Sequence, residues 1–313
     1  MLRNGLFWIQ LVCVLFGAGI SAAQVTTGTI LGTVRDSTGG VVPAATVTVR
    51  NVQTGISRTV TTDSAGRYTV PQLGLGQYEV TTEASGFQTA VRSGIELTVG
   101  RQAVVDFSLQ VGAVAEKVTV TGEAPLVNTT SATVASLVDE KTMRELPLSG
   151  RNFTDLTAIQ PGALFVTTVS PTVRTGGGRK ISVNGARPAQ TLYMLDGVET
   201  MNIAANMAPS SVLGRQLGTE AVREFNVLIN NYGAQYGRAI GGVVNAVTRS
   251  GANDWHGSAY EVFRNDALDA NEFFVPTNAP PIPLKQNQFG GTFGGPLRKD
   301  NTFFFLAYDL NPA

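Results

Sequence analysis

From Trp255 onward, 59 positions hold 11 of the chain's 24 Trp, Tyr and Phe residues. Nine of them fall on three alternating segments, Trp255 to Arg264, Lys285 to Gly294 and Thr302 to Asp309. In the second, Phe289 and Phe293 share one face while Gln288, Gly290 and Thr292 share the other. Membrane-crossing β-strands carry this signature: about ten residues, an outward apolar band and aromatic girdles at the interfaces. Such strands must close into a barrel, because an open edge in lipid leaves backbone donors and acceptors unpaired. The smallest closed barrels have about eight strands, and only three or four fit here. Residues 251–313 are therefore expected to be the first strands of an incomplete transmembrane β-barrel, with a soluble sheet of aromatic strands as the alternative.

Composition excludes several other functions. Lys+Arg and Asp+Glu both number 23, and only 15% of residues are charged, so there is no electrostatic footprint for nucleic acid. One cysteine, Cys13, rules out an intrachain disulfide or a Cys-rich zinc site. One histidine, His256, rules out a His-rich metal site and leaves a nucleophile-plus-base enzyme a single imidazole. No cofactor, metal or reaction is expected. Residues 1–23 have the form of a cleavable leader: Arg3, an apolar run from Leu6 to Ile20, then Ser21-Ala22-Ala23. That run is short of the ~20 apolar residues a membrane helix needs, and no later segment reaches that length without charges. Leu11-Val12 lacks the small residues that precede a lipidated cysteine, which argues against an anchor at Cys13.

Residues 24–111 alternate as strands do, in Ala45–Arg50 and again from Val105 to Val111. Turn signals separate the runs at Asp36–Gly40, Asp63–Gly66, Gly74–Gly76 and Ser85-Gly86, which predicts a β-sandwich. Gly32–Asp36, Pro43–Val47, Thr62–Tyr68, Leu73–Tyr78 and Ala84–Phe87 resemble the carboxypeptidase regulatory-like domain. That resemblance implies the accessory β-sandwich found beside a peptidase and not the peptidase, whose zinc ligands are absent. A docking module and a glycan- or peptide-binding module are both compatible with it.

Within 112–125 lies Glu116-Lys117-Val118-Thr119-Val120-Thr121-Gly122, an acidic residue followed by alternating β-branched positions. An extended segment between domains can add as a strand to a partner's sheet edge. It resembles a TonB box, which implies the energy-transducing protein TonB as partner.

Residues 126–250 are glycine-rich and mixed, with short helical candidates at Glu140 to Leu146 and Asn152 to Ile159. Thr175–Arg179 lacks the Gly-Lys-Ser/Thr ending of a phosphate loop and is expected to be a plain loop. Ile181–Arg187, with Asn184, Gly185 and Arg187, and Thr191–Glu199, with the Asp196-Gly197 turn, look like the plug domain of TonB-dependent receptors. Glu220–Val227 and Tyr236–Arg249, with Gly237, Arg238 and the Gly241-Gly242 pair, resemble the end of that plug, where the glycines permit close backbone packing. Leu146–Phe153, containing Gly150, Arg151, Asn152 and Phe153, narrows the resemblance to the Oar-like receptors. Asn265–Ala270 and Gln288–Leu297 look like the opening hairpins of their barrels.

The expected architecture is mainly β: leader 1–23, regulatory-like sandwich 24–111, linker with TonB box 112–125, α+β plug 126–250 and first barrel strands 251–313. The resemblance implies a receptor of the outer membrane with its N-terminal domain in the periplasm. Its partners would be TonB, outer-membrane lipid and an unknown extracellular substrate. A secreted or periplasmic sandwich binding glycan or peptide is the alternative.

Overall fold

The computed structural model describes residues 26–112, 117–121, 133–145, 153–166, 181–200, 217–234, 236–237, 239–265, 267 and 285–310. The expected leader and the Thr175–Arg179 loop lie outside them. The first nine strands are β1 (Gly28–Asp36), β2 (Thr46–Asn51), β3 (Ser57–Thr61), β4 (Arg67–Leu73), β5 (Gly76–Glu83), β6 (Thr89–Leu97), β7 (Gln102–Val104), β8 (Phe107–Leu109) and β9 (Lys117–Thr121). One sheet has β1 antiparallel to β4 and parallel to both β7 and β8; the other runs β3-β2-β5-β6-β9. Period-two alternation turns Ile30 and Val34 of one sheet toward Val47, Val49 and Val80 of the other, and these form a dry core with Ile95, Leu97 and Leu109.

The turns form where side chains substitute for backbone partners. Asp63 Oδ1 accepts the Ala65 and Arg67 amides, each at 2.9 Å, and Gly66 takes φ +70°. Asp36 Oδ1 does the same for Thr38 and Gly40, each at 2.8 Å. The expected single strand from Val105 to Val111 is shorter in the structure: only Phe107–Leu109 of it forms a strand, β8, while β7 ends at Val104 just before it, and the two run parallel to different halves of β1. The break is held from outside the strand. The Val105 carbonyl accepts Tyr68 Oη at 2.6 Å, and Asp106 Oδ1 accepts the Thr33 amide at 2.7 Å and its hydroxyl at 2.9 Å.

A second layer is built from β10 (Val134–Val138), helix α1 (Glu140–Glu145), a 3₁₀ turn (Phe153–Ile159), the antiparallel pair β11 (Ala163–Phe165) and β12 (Ile181–Val183), then β13 (Thr191–Leu195), β14 (Val198–Glu199), β15 (Val222–Asn230) and β16 (Gly242–Thr248). Their main sheet runs β10-β15-β16-β13-β14, with β13 and β16 parallel. Asp139 starts α1 by accepting the Thr142 amide at 2.8 Å, which holds its carboxyl below the ordinary range through hydrogen bonds from the Thr142 side chain and backbone. The second helical candidate forms as 3₁₀ turns whose Phe153 and Leu156 enter a core with Met143, Tyr193, Phe225 and Val244.

The last three strands are β17 (His256–Asn265), β18 (Lys285–Arg298) and β19 (Thr302–Leu310), an antiparallel sheet with β18 in the middle, the outer edges of β17 and β19 having no partner strand among the described residues. The expected second segment continues to Arg298, with a register shift between Pro296 and Arg298. A bulge is where a sheet accepts a residue that lacks an amide donor.

Candidate functional site

Of the seven residues expected as a TonB box, five, Lys117–Thr121, lie in β9; Glu116 and Gly122 fall outside the described residues. β9 runs parallel to β6, with Thr89 opposite Lys117 through to Ser93 opposite Thr121. The segment is thus an edge strand of the sandwich, with β6 on one side. The chain is led there by main-chain bonds: the Gln88 amide donates to Gln110 O at 2.8 Å, and the Gly112 amide donates to Gly86 O at 3.2 Å.

The sandwich also contacts the second layer directly. Val99, just past β6, has both main-chain groups taken by side chains two apart on β15. Its amide donates to Glu224 Oε1 at 2.5 Å, and its carbonyl accepts Asn226 Nδ2 at 3.3 Å. Leu75, Val99 and Val247 close an apolar cluster beside this clamp. Sequence reasoning missed it, because a polar residue alternating on a strand ordinarily indicates a solvent-facing side. Glu224 is only 7% exposed, and burial pushes its carboxyl up to about 7, partly offset by the Val99 hydrogen bond. Because this value lies above the ordinary 4.5, the carboxyl's contribution to stability is full below pH ~4.5 and is lost as pH rises through about 7. Glu224→Gln, which keeps the acceptor and removes the charge, is expected to flatten this dependence. The unfolding midpoint of the wild type should fall between pH 5 and 8.5 by the equivalent of roughly 2–3 kcal/mol, and that of the variant should not.

Among the plug-motif residues, Phe153 packs on Phe225 with ring centroids 5.8 Å apart, while Gly150, Arg151, Asn152 and Arg238 fall outside the described residues. Asn184 and Gly185 form a tight turn after β12 at φ +54° and +74°. Arg187 opens a 3₁₀ turn, its carbonyl accepting the Gln190 amide at 2.8 Å. Asp196 and Gly197 make the two-residue hairpin between β13 and β14 at φ +48° and +79°, the doubly left-handed turn that suits Asp-Gly. The Asp196 carboxylate then meets the end of the neighbouring strand β16, taking the Thr248 amide at 2.9 Å and its hydroxyl at 2.8 Å. It thereby fixes the end of β16, from which the chain leaves for β17. Gly241 and Gly242 lie where the start of β16 meets the β12 turn. A Cβ on the first would come within 2.8 Å of Ala186 Cβ, and one on the second within 2.6 Å of Val183 Cγ1. Gly237 has open space around it.

The three-stranded sheet has two chemically distinct faces. Gln288 and Thr292 are buried on one, where Ser258 Oγ lies 2.8 Å from Thr292 Oγ1, and Asp309 accepts Tyr260 Oη at 2.6 Å and Gln288 Nε2 at 3.2 Å. Glu220, beside β15, reaches this face at 3.4 Å from Ser258 Oγ. The other face exposes Phe263, Phe289, Phe293, Leu306 and Tyr308, and at one end Trp255 stacks on Phe293 at 5.4 Å and meets Phe304 edge-on at 5.7 Å. An apolar outer band with an aromatic cluster at its border is the pattern of a lipid-facing barrel wall. His256 sits at the start of β17, exposed, with Nδ1 2.9 Å from Asp254 O.

Comparisons with known proteins follow the same three parts. Residues 29–110 match the carboxypeptidase regulatory-like domain, residues 127–243 the TonB-dependent receptor plug domain, and residues 247–311 an outer membrane beta barrel domain. In its three successive parts the chain is thus similar to the TonB-dependent receptors of the outer membrane. Among those receptors it resembles the Oar-like ones. It is 31% identical over 306 residues to the TonB-dependent transporter Oar of Myxococcus xanthus, covering 92% of this chain and 27% of that protein. It is also 30% identical to the ferrienterobactin receptor of Escherichia coli, over 44% of this chain and 18% of that one. The chain thus spans about a quarter or less of the length of these relatives.

Proposed function

We propose that this chain supplies the periplasmic sandwich, the TonB-binding segment, the plug and the opening barrel wall of a receptor that takes up an extracellular substrate. The division is sandwich 24–111, linker 112–125, plug 126–250 and barrel strands 251–313. The observation that carries this reading is the arrangement around β16. A five-stranded sheet ends at the Asp196–Thr248 clasp and passes directly into strands whose polar face turns toward Glu220 and whose aromatic face is bare. In the closed barrel the plug would block the passage until substrate binds from outside. TonB would pair with Glu116–Gly122 by strand addition and pull, so that work done at the inner membrane rearranges the plug. The aromatic face would meet outer-membrane lipid. No bond is made or broken in this scheme, and no residue is assigned a catalytic role. A binding assay with the periplasmic domain of TonB tests it, the decisive variant carrying prolines at Val118 and Val120. Binding that survives those prolines excludes the box.

A further inference from the structure

The box pattern and its surroundings make opposite demands. A segment that engages a partner by strand addition must offer free main-chain donors and acceptors, yet one edge of β9 already faces β6 along its five residues. The approach is prepared, since residues 86–88 and 110–112 are joined by main-chain bonds before the ladder begins. β6 is also the strand whose continuation carries Val99, held by Glu224 and Asn226 of β15. A box laddered to β6 is therefore tied back to the plug through the sandwich, and tension applied to it would be shared with that second attachment.

We propose that the β6 edge of the sandwich is a holding site for the box, so that sandwich and TonB compete for the same strand. This rests on the reading of Glu116–Gly122 as the TonB-binding segment. The hold is reversible by construction: β9 is five residues long, paired on one side among the described residues, and parallel, the weaker of the two ladder types. TonB's apparent affinity is its affinity for the free strand reduced by the fraction of time that strand is free. Release would also uncover the β6 edge, an unpaired row that re-forms the ladder when TonB lets go.

The test is a reversible lock. Ser93 and Thr121 are register partners at the end of the ladder, and neighbouring strands about 4.8 Å apart bring paired Cα atoms within disulfide range. The chain carrying Ser93→Cys and Thr121→Cys, with Cys13→Ser to remove the native thiol, is titrated in detergent with the periplasmic domain of TonB. When reduced it should bind as the parent does. When oxidised it should bind at least tenfold more weakly, and dithiothreitol should restore the affinity. Equal affinity in both states would overturn the proposal, because TonB would then be adding to the outer edge of β9 while β6 keeps its place. Failure of the disulfide to form would overturn it as well. The underlying box reading fails separately, if prolines at Val118 and Val120 leave the affinity of the reduced protein unchanged.

Discussion

Prolines at both Val118 and Val120 are expected to weaken TonB binding by about a hundredfold or more, while alanines at the same positions cost far less. Each proline deletes an amide donor and fixes φ near −65°, away from the extended value a ladder needs. A lost main-chain bond that leaves its partner unpaired costs roughly 1–3 kcal/mol. Two such losses amount to about 3 kcal/mol, and each 1.4 kcal/mol is a factor of ten in affinity. The same prolines loosen β9 from β6, which on its own would make the box more available. The expected net loss therefore distinguishes main-chain recognition from simple exposure. The alanine pair keeps every donor and reports the side-chain share. Surface plasmon resonance with immobilised TonB periplasmic domain reads both, and equal losses for the two variants would mean that side chains carry the recognition.

Gly32→Ala is expected to destabilise the sandwich by about 3 kcal/mol or more, lowering its thermal midpoint by on the order of 10 °C. Gly32 lies where β1 passes from its β7 neighbour to its β8 neighbour, and the backbone at Val105 crosses directly over it. A Cβ there would lie 2.0 Å from Val105 O and 2.6 Å from its carbonyl carbon. These are main-chain atoms, so no rotamer change relieves the clash. Moving them would strain the Tyr68–Val105 bond at 2.6 Å and the Thr33–Asp106 pair. Gly74→Ala is the control, because its nearest neighbour would be Tyr78 Oη at 3.9 Å. Circular dichroism melts of the two variants should separate clearly; a shared midpoint would mean that the crossing is loose enough to yield.

What could be read from the sequence was what local chemistry decides. The Asp-Gly pair at 196–197 can only be a tight turn, and the alternation of Phe289 and Phe293 against Gln288 and Thr292 set the two faces of β18 before any partner strand was known. Long-range pairing stayed hidden. The Val105–Val111 run alternates throughout, yet only Phe107–Leu109 of it pairs with β1, some 70 residues away. Lys117–Thr121 displays its strand pattern but not its neighbour: parallel pairing needs a crossover and leaves no hairpin turn to mark it. The reach of Asp196 to Thr248 and of Glu224 and Asn226 to Val99 was equally invisible, because a polar side chain on a strand looks the same whether it meets water or another layer.

The most direct measurement is amide hydrogen exchange across residues 86–122 of the chain, with and without the periplasmic domain of TonB. The account predicts that 117–121 become more protected as TonB is added while 89–93 lose protection, one strand passing from β6 to its partner. Exchange at 117–121 that is indifferent to saturating TonB would contradict it.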